Sequence, residues 1–135
     1  VAKKRISVQA AKAKGRNLQK LVQSKVLGAF SSLTTDDVRS TSMGAGGSDV
    51  QLSQAAKALF PYDVECKAGK IGTIPKKLYD WIGQASEHGE GHPLVVFRAD
   101  YKSAYVILSL DHFMEIIQRG YQAGEQSDRL AGEDE

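Results

Sequence analysis

Two short runs decide the fold: Gly46-Gly47-Ser48-Asp49-Val50-Gln51-Leu52 and, after a spacer, Tyr62-Asp63-Val64-Glu65-Cys66-Lys67. Read as β-strands, their period of two places Glu65 and Lys67 on one face and turns Val64 and Cys66 to the other. Asp49 opens the preceding strand, where it can sit beside Glu65. Two carboxylates converging at one strand end form a hard-oxygen site suited to Mg²⁺ or Mn²⁺. An ammonium group on the same face can orient water or stabilise phosphate charge. The pattern therefore predicts metal-dependent phosphodiester cleavage, with Asp49 and Glu65 as metal ligands and Lys67 completing the catalytic set. Each residue also has a plainer reading. Asp49 after two glycines suits an Asx turn, and Glu65 with Lys67 suits a simple salt bridge.

Outward from these runs, the spacing of Leu18, Leu21, Val22, Val26, Ala29, Phe30 and Leu33 predicts an amphipathic helix over about Arg16 to Ser31. Val38 to Ser42 reads as a strand, and the glycine-rich Met43 to Ser48 as a turn. Ser53 to Phe60 reads as a two-turn helix capped by Ser53 and ended by Pro61. Pro75 suits the first turn of a helix reaching about His88. Leu94 to Ala99 and Ala104 to Leu110 have strand length. Asp111 is placed to cap a last helix, Phe113 to Arg119, stopped by Gly120. Strands interspersed with helices in this order predict an α/β sandwich with a mixed sheet.

The chain's 135 residues suit a single domain with a real core. The expected division is a flexible basic arm over 1-13, one domain over 14-120 and an acidic, disordered tail over 121-135. Net charge is only +2, yet residues 1–35 carry eight Lys or Arg and no acid. Such a local positive field suits a phosphate backbone, or else a solvated basic arm. Cys66 is the only cysteine, which excludes an intramolecular disulfide and gives no sign of an oxidising compartment. No apolar stretch approaches a membrane span, and the basic start lacks the apolar core of a signal peptide. The expectation is an intracellular, cytoplasmic protein with no membrane partner and no small-molecule substrate. His88 and His92 flank Gly-Glu-Gly in a polar turn and read as exposed loop histidines rather than a metal pair.

Several of these features together resemble the PD-(D/E)XK nuclease superfamily, and within it the archaeal-type Holliday junction resolvases and their phage-encoded relatives. Lys14-Gly15 resembles the dipeptide that opens the family's first helix, and Val38-Arg39-Ser40 resembles its next element. The Ser- and Gly-rich turn from Ser42 leads into Asp49, and Val64-Glu65-Cys66-Lys67 corresponds to the Glu-x-Lys strand. The likeness covers about Lys14 to Ile117 and is specific in the Asp and Glu-x-Lys pair. It implies a restriction-endonuclease-like core with a mixed central sheet of about five strands flanked by helices. It also implies a homodimer that makes paired cuts in four-way DNA junctions, with Mg²⁺ as cofactor and Mn²⁺ able to substitute.

Gln19 stands where the family carries a metal-side Glu. An amide oxygen is an uncharged ligand, so the resemblance gives Gln19 an auxiliary role, holding metal-bound water or orienting DNA, and leaves open one ion or two. Ser48 is a second auxiliary candidate. The expected DNA contacts are Lys3, Lys4, Arg5, Lys12, Lys14, Arg16, Arg39, Ser40 and Ser42. Two alternatives stand beside this reading: a non-catalytic DNA-binding accessory protein that keeps the fold, and a nuclease acting on other branched or mismatched DNA.

Overall fold

The computed structural model describes residues 7–41, 48–87, 89 and 91–133. Lys3, Lys4, Arg5 and Ser42 lie outside the described residues, as does most of the glycine-rich turn. The chain divides into two compact units, Val1–Lys70 and Ile71–Glu135.

In the first unit, helix α1 spans Val8–Ala29. It starts earlier than apolar spacing alone suggests because Ser7 caps it, its hydroxyl accepting from the Ala10 amide at 3.1 Å. Residues 8–13 are thus helical rather than an arm. The buried stripe of α1 is Gln19, Val22 and Val26, continued by Phe30 just past its end. Spacings of three and four keep these side chains on one face. Leu21, predicted to lie inside, is 45% exposed, and the polar Gln19 takes an inner place.

Strand β1 (Val38–Ser40) pairs antiparallel with β2 (Val50–Leu52), Val38 opposite Leu52 and Ser40 opposite Val50. Thr41 N–H to the Asp49 carbonyl at 2.9 Å and Ser53 N–H to the Asp37 carbonyl at 2.8 Å extend the ladder beyond both ends. Helix α2 (Gln54–Leu59) follows, capped by Ser53, whose hydroxyl accepts from the Ala56 amide. Phe30, Val26, Val38 and Val50 are fully buried and form the core with Phe60 and Ala56. Each large side chain withdrawn this way contributes about 1.5–3 kcal/mol.

The strand expected over Tyr62–Lys67 is reduced to one antiparallel bridge, Val64 to Val50. Its ladder stops for a visible reason. The Cys66 amide, which would continue the pairing, donates instead to the Asp49 carboxylate at 2.6 Å.

The second unit contains α3 (Lys76–Ser86), β3 (Val95–Phe97), β4 (Tyr105–Ile107) and α4 (Leu110–Glu133). β3 and β4 form an antiparallel hairpin with Val96 opposite Val106. Trp81 of α3 lies 6.2 Å from Phe97, which stacks at 6.0 Å on Tyr105, so one side of the hairpin carries an aromatic row. Helix α4 runs through Gly120 and most of the segment read as a disordered tail. A glycine costs a helix only about 1 kcal/mol, and good helix formers flank this one. Its cap is Ser109 rather than Asp111: the Ser109 hydroxyl accepts from the His112 amide at 3.1 Å. Earlier in the unit, Gly72 adopts φ 111°, a conformation that favours glycine, in the turn joining Ile71 to Ile74.

The fold is therefore mixed α and β, but the described strands form two separate two-stranded antiparallel sheets. Among the described residues, a five-stranded mixed central sheet and a restriction-endonuclease-like core are not seen. Periodicity reveals that a run is extended, whereas its hydrogen-bonding partner is set by long-range closure that no local pattern records. No helix among the described residues is long and apolar enough to cross a membrane.

Candidate active site

Asp49 is held from three sides. Its N–H donates to the Val64 carbonyl at 3.0 Å and its carbonyl accepts from Thr41 N–H at 2.9 Å. Its carboxylate accepts from the Cys66 amide. Because Val50 bridges the same Val64, two consecutive residues face one across the pair, as at a β-bulge. This arrangement aims the Asp49 side chain along the neighbouring segment and sets it beside the residue between Glu65 and Lys67. A carboxylate can accept several hydrogen bonds, so engagement with one amide leaves it capacity for a further partner.

Along the neighbouring segment the predicted alternation is present: Val64 and Cys66 are half-buried, while Glu65 and Lys67 are exposed. Lys67 Nζ lies 3.0 Å from Glu65 Oε1. The hydrogen bond to Glu65, then the charges of Glu65 and Asp49, raise the Lys67 ammonium above its ordinary value. Lys67 therefore stays charged across neutral pH. Burial, followed by the negative charges of Asp49 and Glu65, pushes the Cys66 thiol up as well, which disfavours its thiolate. Both effects register the two carboxylates acting on one short stretch of chain.

The auxiliary candidates are placed differently. Gln19 is only 3% exposed, and its side-chain oxygen accepts from the Ser40 hydroxyl at 2.9 Å. Both groups thus satisfy each other between α1 and β1. Ser48 is half-buried, and its carbonyl accepts from the Thr41 hydroxyl at 2.6 Å. It also lines a cavity of about 310 Å³ shared with Lys57, Tyr62 and Asp63. Lys57, which the sequence reading did not single out, brings a cation to that cavity from the last turn of α2. The signal for it was its place on a helix directly between the two decisive runs.

Asp36 and Asp37, the acids nearest in sequence to stand in for Gln19, are engaged elsewhere. Asp37 accepts from the Thr34 amide at 2.9 Å and from the Ser53 hydroxyl at 2.8 Å. The Thr34 backbone bond, then the Ser53 bond, lower its carboxyl below the ordinary value. Asp36 lies 3.4 Å from Arg39 in an exposed pair.

The basic residues of α1 form an ordered surface. Lys12, Arg16 and Lys20 are exposed and stand four residues apart, which aligns them on one helical face. Lys14 is exposed nearby, and no acid interrupts α1. Taken together, the unit offers two hard-oxygen donors, a charged lysine beside them and a basic helix. No family model, curated protein or solved structure matches the chain at a significant level.

Proposed function

We propose that this protein is a metal-dependent, structure-selective DNA endonuclease of the PD-(D/E)XK kind, a Holliday junction resolvase acting as a homodimer. The observation that carries the proposal is the Asp49 carboxylate anchored on the Cys66 amide, between Glu65 and Lys67. Asp49 and Glu65 would hold the metal; their carboxylate oxygens match the preference of Mg²⁺ and Mn²⁺ for hard ligands. Bound there, such an ion supplies charge neutralisation at a phosphate and acidifies water. Lys67, kept protonated by its carboxylate neighbours, offers a hydrogen-bond donor and positive charge to the phosphate undergoing attack. The Cys66 amide orients Asp49, and the α1 stripe neutralises phosphates of the DNA arms. A dimer with paired sites suits the near-twofold symmetry of a four-way junction.

A non-catalytic DNA-binding role is the second reading. Burial of Gln19 against Ser40 favours it, because an uncharged amide already engaged by the Ser40 hydroxyl stands where the resemblance expects a charged metal-side Glu. Incubation with a labelled four-way junction and a linear duplex, in Mg²⁺ or in EDTA, separates the two. The nuclease reading expects paired, Mg²⁺-dependent cuts in the junction. It also expects Asp49→Asn and Glu65→Gln to lower cleavage by at least about 100-fold while junction binding persists. Binding without cleavage in any divalent ion would establish the second reading. Unchanged cleavage by both variants would remove the site assigned here.

A further inference from the structure

In the second unit, one ring nitrogen from His92, one from His112 and a carboxylate oxygen of Glu115 all lie within 4.8 Å of one another. We propose that His92, His112 and Glu115 form a binding site for a transition-metal dication of the Zn²⁺ type, separate from Asp49 and Glu65. The donor chemistry points to that class. Imidazole nitrogen suits zinc and its neighbours, whereas Mg²⁺ and Ca²⁺ prefer oxygen alone. Two histidines and one carboxylate are an established zinc ligand set, with water completing four-coordination.

Local structure places all three groups. Ser109 caps α4, which fixes its first turn and with it His112. Glu115 follows three residues later on the same helical face, and its carboxylate lies 3.5 Å from His112 Nδ1. His92 arrives from the segment preceding β3 and stacks on His112, with ring centroids 3.7 Å apart and planes 12° from parallel. Zinc bonds of about 2.0 to 2.1 Å set tetrahedral ligands roughly 3.3 Å apart. The His112 and Glu115 atoms already approach that spacing. Imidazole lone pairs lie in the ring plane, so the two stacked rings keep theirs in parallel layers. Ligation of one ion therefore requires His92, whose side chain is exposed, to turn out of the stack so that its lone pair meets that of His112.

The position of the cluster gives the ion a purpose. His92 precedes β3 and His112 follows β4, so a shared ion would clip the base of the hairpin. That hairpin needs support: Met114 is the buried hydrophobic residue of this unit among those described, while Leu94, Val96, Tyr105 and Val106 are more than half exposed. Small units with little buried apolar surface gain much of their order from a structural metal, since binding free energy becomes folding free energy.

The test uses full-length protein without a histidine tag, stripped with chelator and titrated with Zn²⁺ in excess Mg²⁺ to occupy oxygen-only sites. Co²⁺ serves in parallel as a spectroscopic probe. The expected result is one Zn²⁺ per chain, a rise in the thermal midpoint and a visible Co²⁺ absorption band characteristic of nitrogen and oxygen ligands. His92→Ala and Glu115→Gln, both at exposed positions that leave the helix intact, should each weaken Zn²⁺ binding by at least about ten-fold and alter the Co²⁺ band. His112→Ala should abolish it, with circular dichroism reporting whether the fold persists. Cys66→Ser and Asp49→Asn should bind Zn²⁺ as the parent does. Zn²⁺ affinity unchanged in His92→Ala and Glu115→Gln, loss confined to Cys66→Ser or Asp49→Asn, or no Zn²⁺ binding by the parent would each overturn the proposal.

Discussion

At the scale of single residues, carboxylates of the same type serve unlike ends according to what their oxygens meet. Asp49 receives an amide and faces Lys67; Asp37 spends both oxygens on the turn at Thr34 and the cap of α2. The consequence for Asp37 is a pH dependence whose sign follows from its lowered carboxyl. A carboxyl depressed on folding contributes stability above its unfolded value, and that contribution fades as pH falls through the folded value. Asp37→Asn should therefore lower the thermal midpoint at about pH 7, and the gap from the parent should close as pH falls below the ordinary carboxyl value of 3.8 and through the lowered folded value. A gap that stays constant over this range would mean that the ionised carboxylate is not what holds the turn. Lys67 titrates in the opposite sense: its raised ammonium keeps the Glu65 pair intact until pH climbs past 10.5.

At the scale of elements, the helices carry the most testable content. The stripe Lys12, Arg16 and Lys20 gives α1 a positive face. If that face neutralises DNA phosphates, each contact contributes about 0.9 to the slope of log affinity against log salt. Changing all three to Gln should flatten that slope by up to about 2.7, measured by fluorescence anisotropy on a four-way junction. An unaltered slope would place the phosphate contacts elsewhere. In α4, Gly120 and Gly124 have nothing within 4 Å of where a Cβ would stand. Gly120→Ala or Gly124→Ala should each stabilise the helix by about 0.5–1 kcal/mol, seen as increased helical circular dichroism and a higher midpoint. Neither position signalled a helix in the sequence. Glycine after an apolar stripe reads as a stop, and only continuation of the backbone hydrogen bonds beyond it overrides that reading.

At the scale of the whole molecule, the two units differ in how much apolar surface each withdraws from water. The first buries Phe30, Val26, Val38 and Val50 completely, whereas the hairpin of the second leaves Val96 63% and Val106 59% exposed. Local opening is easiest where few buried contacts oppose it. Amide hydrogen exchange should accordingly run markedly faster in Val95–Phe97 and Tyr105–Ile107 than in Val38–Ser40 and Val50–Leu52. Equal protection in both hairpins would contradict this ranking of the cores.

The sequence by itself determined what is periodic and local. The inner stripe of α1 around Val22 and Val26, the cap at Ser53 and the outward pairing of Glu65 with Lys67 all follow from spacing along one stretch of chain. These features are legible because a helix or an extended segment imposes its repeat on neighbours two to four residues apart. Tertiary structure alone decided the rest: that Gln19 faces Ser40, that the Cys66 amide turns to Asp49 and ends a strand, and that the strands form two small sheets. It likewise brought His92 to His112 and Glu115, twenty and twenty-three residues away. Such meetings depend on closing long loops and burying particular surfaces, and the free energy of those events belongs to the folded chain as a whole.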